Sequence, residues 1–171
     1  MTKISYQLGV IDDLASIAEL HALSWKVFYR GILSDEYLDN EVDEDRLSVW
    51  QQRFGKRDPS MTIITAKLEN HLIGFACHFL HYHETYGHYL DNLHVHPDYR
   101  GRGIGKLLLE KSITHCSQFR DSNYYLWVFD KNQQAINFYE KNNGRKVLKE
   151  TFATPDGLSE PALLYSWNLN N

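Results

Sequence analysis

Near its N-terminus the chain carries apolar residues at helical spacing. They recur every three or four positions from Asp12 to about Phe28, which predicts an amphipathic helix capped by Asp12 or Asp13. A second, short helix is expected from its cap Ser34 through Leu38, and DEDRLSVWQQRF predicts a third. Before them, ISYQL alternates weakly and favours an opening strand. The first third of the chain is therefore mainly helical.

The pattern changes at Met61, where alternating and β-branched residues take over. MTIITAKL and HLIGFACHFLHY flank ENH and predict a hairpin, and HYLDNLHV predicts a further strand. A helix is expected from about Gly103 to Phe119, then the strand YYLWVF and the helix NQQAINFYEKN, which Asn132 caps. Two last strands, RKVLKETFA and ALLYSWNL, surround a turn at Pro155.

This order of elements predicts one domain over residues 1–171, an α/β or α+β fold whose sheet has mixed strand directions. The 171 residues, 43% apolar and 23% charged, exclude the disordered class. A formal net charge of −4 argues against a nucleic-acid partner. No signal peptide or membrane-spanning run is visible, so we expect no membrane and a cytoplasmic location. Cys77 and Cys116 lie in apolar segments, where two buried reduced thiols are expected.

The segment HPDYRGRGIGKLLLE, residues 96–110, places three alternate glycines directly before a leucine-rich helix. Alternate glycines bring bare backbone close to a ligand, and a helix that begins there presents free N–H groups with partial positive charge. The N–H groups of residues 101–106 suit an anion such as a phosphate group. The dinucleotide pattern G-x-G-x-x-G fails because Lys106 or Leu108 stands at its last glycine, and the P-loop pattern fails at Arg100 and Leu107.

Residues 100–105, RGRGIG, match the (Gln/Arg)-x-x-Gly-x-(Gly/Ala) signature of the GCN5-related N-acetyltransferases, the GNAT family. With the preceding LHVHPDYR and the order of elements, the chain resembles this family over nearly its whole length. The resemblance implies a mostly antiparallel mixed sheet of about seven strands with four or so helices, splayed between strands 4 and 5. It also implies acetyl-CoA as co-substrate and direct transfer of its acetyl group to an amine.

The cofactor-binding residues expected in the loop and its helix are Arg100, Gly101, Arg102, Gly103, Ile104, Gly105 and Lys106. We expect their backbone N–H groups to hold the pyrophosphate and their basic side chains to add charge. In the family, pantetheine lies along the strand before the loop, which implies contacts with Leu93, His94 and Val95. The resemblance further implies that the Leu93 N–H bonds the acetyl carbonyl, where a fixed donor stabilises the oxyanion formed on attack.

The helix NQQAINFYEKN carries Asn132 and Tyr139 on one face. Each residue alone is typical of a structural role, Asn132 as a cap and Tyr139 at the edge of a core. The resemblance implies that Asn132 bonds the pantetheine or phosphate arm and that Tyr139 reaches the CoA sulfur. A phenol there can donate a proton to the departing thiolate, so Tyr139 is the predicted general acid.

The general base has three candidates. Many family members carry Glu four residues before the position of Leu93, where this chain has Tyr89, a neutral phenol and a poor base near pH 7. Asp91 shares the strand face of Tyr89 and Leu93 if the strand is regular, and it is the first candidate. His94 is the second, since a bulge could reverse its opposite parity. A water chain without a protein base is the third.

The acceptor is expected near the segment SWKVFYRGILSDEYLDN. The aromatic residues expected to wall its pocket are Trp25, Phe28, Tyr29 and Tyr37. The acidic residues expected to attract a cationic amine are Asp35, Glu36, Glu84 and Asp91. A looser resemblance to small bacterial acetyltransferases, some of which act on polyamines, favours a small or polyamine-like primary amine over a protein N-terminus.

Three further expectations concern partners and the alternative function. His81 and His83 share a strand face, as in some metal sites, but no third ligand stands at a familiar spacing, so no metal is expected. Pairing of edge or tail strands between subunits is common in this fold and favours a homodimer. The alternative to an enzyme is a non-catalytic acyl-CoA-binding module. The missing Glu favours that alternative, whereas Tyr139 favours the enzyme.

Overall fold

The computed structural model describes residues 3–170. Its helices are α1 Leu14–Phe28, α2 Asp35–Asn40, α3 Val42–Lys56, α4 Ile104–Cys116 and α5 Gln133–Lys141. Its strands are β1 Ser5–Leu8, β2 Met61–Leu68, β3 His71–His83, β4 Gly87–Val95, β5 Asn123–Phe129, β6 Arg145–Ala153 and β7 Ser159–Asn168. Within this range, none of the helices has the length and apolar character required to cross a membrane.

The seven strands form one sheet in the order β1-β2-β3-β4-β5-β7-β6. Neighbouring strands are antiparallel except β4 and β5, which run parallel. β4 and β5 pair only through His88 with Tyr124 and Tyr89 with Tyr125. Beyond these residues β4 continues along β3 and β5 continues along β7, without pairing to each other. The predicted mixed sheet, splayed between its fourth and fifth strands, is confirmed.

Helices cover both faces of the sheet. On one face α1 and α3 enclose a buried cluster made of Ile17, Ala18, Leu20, Trp50, Ile63, Phe75 and Cys77. On the other face α4 and α5 contribute Ile104, Leu108, Leu109 and Ile136 to a larger cluster that includes Leu90 of β4. Full burial of each aliphatic side chain is worth about 1.5–3 kcal/mol. Cys77 and Cys116 are buried free thiols, as predicted.

The first predicted helix begins later than expected. A 3-10 turn, Ile11–Asp13, precedes α1. The Asp13 carboxylate accepts a hydrogen bond from the Val10 N–H at 3.1 Å and pairs with Lys67 at 2.5 Å. Asp13 thus fastens the turn to β2 instead of capping α1 with its side chain. The predicted cap of α2 is confirmed, since the Ser34 hydroxyl accepts from the backbone N–H of Tyr37.

Candidate active site

A cleft opens where β4 and β5 separate. Its walls include Leu90–Val95 of β4 and Leu126–Phe129 of β5, which lie beyond the residues that pair the two strands. Residues of α1, α3 and α5 complete the walls, and the cavity measures about 380 Å³. Of the predicted site residues, the cleft brings together Asp91, Leu93, His94, Val95, Arg100, Asn132 and Tyr139.

The backbone of β4 offers free hydrogen-bonding groups to this cleft. The His96 N–H donates to the Ile73 carbonyl at 2.9 Å, and the register between β3 and β4 is regular from there back to Leu93. In an antiparallel ladder, hydrogen-bonded and non-hydrogen-bonded pairs alternate. Leu93 and Val95 therefore turn their N–H and C=O groups away from β3, toward the side on which β5 has separated. An extended ligand can bind such an edge as an added strand does.

Two glycines of the loop adopt a backbone conformation that other residues rarely adopt. Gly101 and Gly103 have φ values of +74° and +79°, in the left-handed region that favours glycine. A Cβ atom at either position would meet no protein atom within 4 Å, so open space lies beside the loop. Within α4, the Leu107 N–H is the first to find an intrahelical acceptor, the Gly103 carbonyl at 3.0 Å. The N–H groups of the residues just before Leu107 have no acceptor within α4, as at the start of any helix.

Two of the predicted loop residues belong to the packed part of α4. Ile104 is buried in the core beneath the sheet, so its contribution to a ligand is limited to its backbone. A Cβ atom at Gly105 would lie 3.6 Å from the Phe138 ring, an ordinary contact. Protein packing alone therefore does not require glycine at position 105, and the approach of a ligand remains a reason for it.

The three basic side chains of the loop take different directions. Arg100 crosses to α5 and the cleft, where it donates to Gln134 Oε1 at 2.9 Å and lies 3.8 Å above the Phe28 ring. Arg102 turns back to the Asp98 carbonyl at 3.3 Å. Lys106 lies 3.7 Å from Glu110 on the exposed face of α4. Among the three, Arg100 is the cation that reaches the cleft.

Asn132 and Tyr139 both line the cleft from α5. The Asn132 side chain caps the helix by accepting from the Ala135 N–H at 3.1 Å, as predicted, which leaves its amide N–H₂ for other partners. Burial raises the pKa of Tyr139, the nearby Tyr29 raises it further, and Arg100 opposes the shift. The Tyr139 phenol therefore keeps its proton at neutral pH and acts as a hydrogen-bond donor.

A bulge in β4 changes which side chains share a face. No β3 residue lies opposite Asp91, whereas its neighbours Leu90 and Asn92 are both paired. Asp91 consequently faces α3, where its Oδ2 lies 2.6 Å from Nη1 of Arg53, while Leu93 packs into the core under α4. The expectation that Asp91 and Leu93 share a face is wrong because it assumed a regular strand.

Because of the bulge, His94 and Asp91 lie on the same face of the sheet, the one that α1 and α3 cover. His94 Nδ1 lies 2.8 Å from the Ser24 hydroxyl of α1, and its ring centroid is 4.6 Å from that of His21. Burial, with a smaller contribution from Arg100, lowers the pKa of His94 to about 3. The imidazole is therefore neutral near pH 7 and a weak acceptor for the proton of an amine.

Tyr89 stands in the cleft at the position where many family members carry Glu. Its ring stacks on Tyr125 with centroids 5.0 Å apart. Burial raises the pKa of Tyr89, and the negative charge of Asp91 adds to the shift. The phenol stays neutral, and among Tyr89, Asp91 and His94 the carboxylate is the group best suited to accept a proton.

Two arginines of α3 line the cleft and were missed by sequence reasoning. The Arg46 guanidinium lies 4.2 Å above the Trp25 ring and 2.8 Å from Asp45. Arg53, besides its ion pair with Asp91, donates to the Asn92 side chain at 3.0 Å. The spacing of seven between Arg46 and Arg53 puts both on one helix face, which is the signal that could have found them.

The predicted acceptor residues divide into two groups. Trp25, Phe28 and Tyr29 line the cleft as predicted. The expectation for Tyr37 is wrong, because its hydroxyl donates to Asp45 beside a separate surface depression. Of the four acidic residues predicted to attract the amine, Asp91 lines the cleft formed by the described residues. Asp35, Glu36 and Glu84 do not line it, so the expectation for them is wrong.

Comparisons with known proteins agree with this geometry. The model of the acetyltransferase (GNAT) family matches residues 17–144. YuaI of Bacillus subtilis, an uncharacterized N-acetyltransferase, is 24% identical over 144 residues, which cover 83% of this chain and 80% of that protein. Thialysine N-epsilon-acetyltransferase of Sus scrofa is 32% identical over 83 residues, 44% of this chain and 46% of that protein.

A solved structure shares the fold. PaiA N-acetyltransferase from Thermoplasma acidophilum in complex with coenzyme A superposes with a TM-score of 0.72 at 23% identity, over 97% of this chain and 99% of that chain. The family match, which spans the glycine loop, α5 and most of the cleft, decides the assignment. The chain belongs to the GNAT acetyltransferase family and is an acetyl-CoA-dependent N-acetyltransferase.

Proposed function

We propose that the protein transfers the acetyl group of acetyl-CoA directly to a small primary amine in the cleft between β4 and β5. The observation that carries the proposal is the arrangement of Arg100 at the start of the glycine loop, the outward-facing backbone of Leu93 and Val95, and Tyr139 around one opening. The pyrophosphate lies at the N–H groups of residues 101–106 and the pantetheine arm runs along β4. The coenzyme A complex of the Thermoplasma acidophilum relative supports this choice of cofactor.

The reaction forms one C–N bond and breaks one C–S bond. The neutral amine attacks the thioester carbon, and the Leu93 N–H stabilises the negative charge that develops on the carbonyl oxygen. When the intermediate collapses, the sulfur leaves and takes the proton of the Tyr139 hydroxyl, which gives free CoA thiol. The phenol regains its proton from water, and the nitrogen loses one proton to the base.

We assign the base to Asp91, acting directly or through one water molecule. Its carboxylate lies in the cleft and is held by Arg53 at 2.6 Å, which fixes its position against α3. His94, with a pKa of about 3, and Tyr89, whose pKa is raised by burial, are both neutral and do not compete near pH 7. Arg53 is then a positioning residue for the base.

The charge of the cleft bears on the acceptor. Its charged lining residues within the described chain are Arg46, Arg53, Arg100 and Asp91. Arg46 pairs with Asp45 and Arg53 pairs with Asp91, so these groups together carry one net positive charge, that of Arg100. A polyamine would meet this positive charge, whereas an acceptor with an anionic group near its amine would be attracted to it. We therefore favour an amino-acid-like amine over the polyamine-like acceptor that the sequence suggested. The Sus scrofa relative, whose name gives thialysine as its substrate, agrees with this choice.

The test is a screen for release of the CoA thiol with a panel of amines. The panel contains diamines and polyamines, amino acids with a side-chain amine, and the same amino acids with the carboxylate amidated. We expect turnover with primary amines and a preference for those with a free carboxylate. Thermal stabilisation by acetyl-CoA without thiol release for any amine would favour the non-catalytic binding module.

An Asp91→Asn variant tests the assigned base. Loss of a general base lowers the rate by about 10²–10⁴-fold while the affinity for acetyl-CoA stays the same, because Asp91 lies on the acceptor side. A rate within threefold of the unmodified protein would transfer the role to water.

A further inference from the structure

Three potential metal ligands meet at the end of the sheet away from the cleft. His81 comes from the end of β3, His88 from the start of β4 and Asp121 from the segment between α4 and β5. One ligand atom of each residue lies within 4.8 Å of the others. β4 runs from this end toward the cleft, so the cluster is separate from the glycine loop and from Tyr139.

His81 is held in an unusual backbone conformation. Its φ is +52°, which for a residue other than glycine costs about 1–2 kcal/mol. The pairing of β3 with β4 is irregular between Phe79 and His83, where His81 lies. In this position the His81 side chain places Nδ1 2.6 Å from Oδ2 of Asp121. Strain that aims a side chain at a specific partner is typical of functional positions.

His88 has unused ligand capacity. Its side chain is completely buried, and its Nδ1 accepts the His81 N–H at 3.1 Å and lies 4.0 Å from the Asp121 carboxylate. Its Nε2 has no hydrogen-bond partner among residues 3–170. His88 therefore has one ring nitrogen that no described group satisfies, and a buried nitrogen without a partner calls for an explanation such as a water molecule or an ion.

Close packing keeps the three segments together. A Cβ atom at Gly87, the residue before His88, would come within 2.3 Å of the Asn123 carbonyl oxygen and 3.3 Å of Asp121 Cβ. Only glycine lets the start of β4 approach the Asp121 segment so closely. The Phe119 ring covers the pair, with centroids 5.8 Å from His81 and 6.0 Å from His88. Apolar cover of this kind strengthens the binding of a cation by polar ligands.

We propose that His81, His88 and Asp121 bind a divalent transition-metal ion, for which Zn²⁺ is the probe. Two imidazoles and one carboxylate are ligands that Zn²⁺ and its neighbours in the first transition series prefer. The ion cross-links the β3–β4 hairpin to the segment before β5, next to the residues that pair β4 with β5. Its role is to stabilise the end of the sheet where β4 and β5 still pair, and it takes no part in acetyl transfer.

The proposal replaces the expectation that the chain holds no metal. That expectation considered His81 and His83 on one strand, where a third ligand at a familiar spacing was missing. The fold instead pairs His81 with His88 across an irregular hairpin and adds Asp121 from a distant segment.

Equilibrium dialysis of the metal-stripped protein against Zn²⁺, followed by metal analysis, tests the proposal. We expect one ion per chain and visible ligand-field absorption when Co²⁺ replaces Zn²⁺. His81→Ala and Asp121→Asn, both at partly exposed positions, should each weaken binding at least tenfold. His71→Ala, an exposed histidine at the other end of β3, is the matched control and should bind as the unmodified protein does.

Two results would overturn the proposal. One is binding that falls as much in His71→Ala as in the cluster variants, which indicates adventitious binding by surface histidines. The other is that the unmodified protein binds Zn²⁺ no more tightly than Asp121→Asn does. Thiol release by Asp121→Asn at the rate of the unmodified protein shows that the variant is folded, so loss of metal binding is separable from failure of the acetyltransferase assignment.

Discussion

The two sides of the cleft are built in different ways. The side to which we assign the cofactor consists of short continuous segments, which are the edge of β4, the glycine loop and α5. On this side we propose that mainly backbone groups bind acetyl-CoA. The acceptor side combines side chains of α1, α3 and β4, which meet only in the folded chain. Local sequence therefore specifies the first side, and tertiary packing specifies the second.

The two sides also differ in their charges. Backbone N–H groups on the cofactor side carry no net charge, and water can satisfy them when no ligand is bound. On the acceptor side, Arg53 with Asp91 and Arg46 with Asp45 are partly buried ion pairs that must be held in geometry by their neighbours. Substitutions in the glycine loop should therefore affect binding of acetyl-CoA, whereas those on the acceptor side should affect catalysis, specificity and stability. Tyr139 is the exception on the cofactor side, because its assigned role is to donate a proton.

The largest effect is expected from Gly103→Leu. A side chain at Gly103 projects into the open space to which we assign the pyrophosphate. Loss of two charge-assisted hydrogen bonds at about 1.5–3 kcal/mol each should weaken acetyl-CoA binding at least 100-fold. Gly157→Leu is the matched control, because Gly157 has the same φ of +79° and the same open surroundings in the β6–β7 turn. Calorimetric titration of acetyl-CoA with both variants makes the comparison, and equal affinities would refute the loop assignment.

The next effect is expected from Tyr139→Phe. Loss of the general acid lowers kcat by about 10²–10⁴-fold with little change in acetyl-CoA affinity. Tyr89→Phe removes a phenol from the same cleft and should change kcat by less than threefold, since a neutral phenol there is not the base. Steady-state thiol release measures both, and similar rates for the two variants would remove Tyr139 from the mechanism.

A smaller effect concerns pH and the buried His94. Its pKa is about 3 in the folded protein and about 6.5 when exposed, so the unfolded chain takes up the proton first. The stability that His94 contributes is complete above pH 6.5 and is lost as the pH falls toward 3. Between pH 7 and pH 5 the free energy of unfolding should fall by about 2 kcal/mol from this residue. Urea unfolding measures the free energy of unfolding at both pH values. The difference between them should be smaller by about 2 kcal/mol in His94→Gln than in the unmodified protein.

The smallest effect is expected from Arg46→Gln. If Arg46 attracts an anionic group of the acceptor, KM for an amino-acid acceptor rises about tenfold while its amidated analogue is unaffected. Lys56→Gln, at the exposed end of α3, serves as the control for a simple change in charge. An equal rise in KM for both acceptors would mean that Arg46 supports the fold of the cleft instead of reading the substrate.

The sequence predicted the locally determined elements of the structure better than the contacts between distant segments. The strands over Met61–Leu68 and Arg145–Ala153 were predicted with their observed ends, because alternation and flanking turns are local signals. The caps Ser34 and Asn132 were predicted for the same reason. On the cofactor side, Gly101 and Gly103 have positive φ values, which gives a structural reason for the glycines of the motif.

The failures lie where distant segments decide the structure. The bulge at Asp91 depends on how β3 pairs with β4, so the strand pattern alone gave the wrong face for Leu93. Arg53 became part of the cleft because α3 packs against α1, from where the Arg53 side chain reaches Asp91 of β4. The sequence of α3 alone looks like an ordinary amphipathic helix. Tyr37 is an aromatic residue of the kind that lines pockets, yet its hydroxyl bonds Asp45 and its ring lies outside the cleft.

Thermal unfolding with and without acetyl-CoA, with NADH as the control ligand, tests the central claim most directly. At a hundred times its Kd, a ligand that binds only the folded protein raises Tm by about 5–10 °C for a chain of this size. We predict that rise with acetyl-CoA and none with NADH. An unchanged Tm with acetyl-CoA, or an equal rise with NADH, would contradict the assignment of the cleft and its glycine loop.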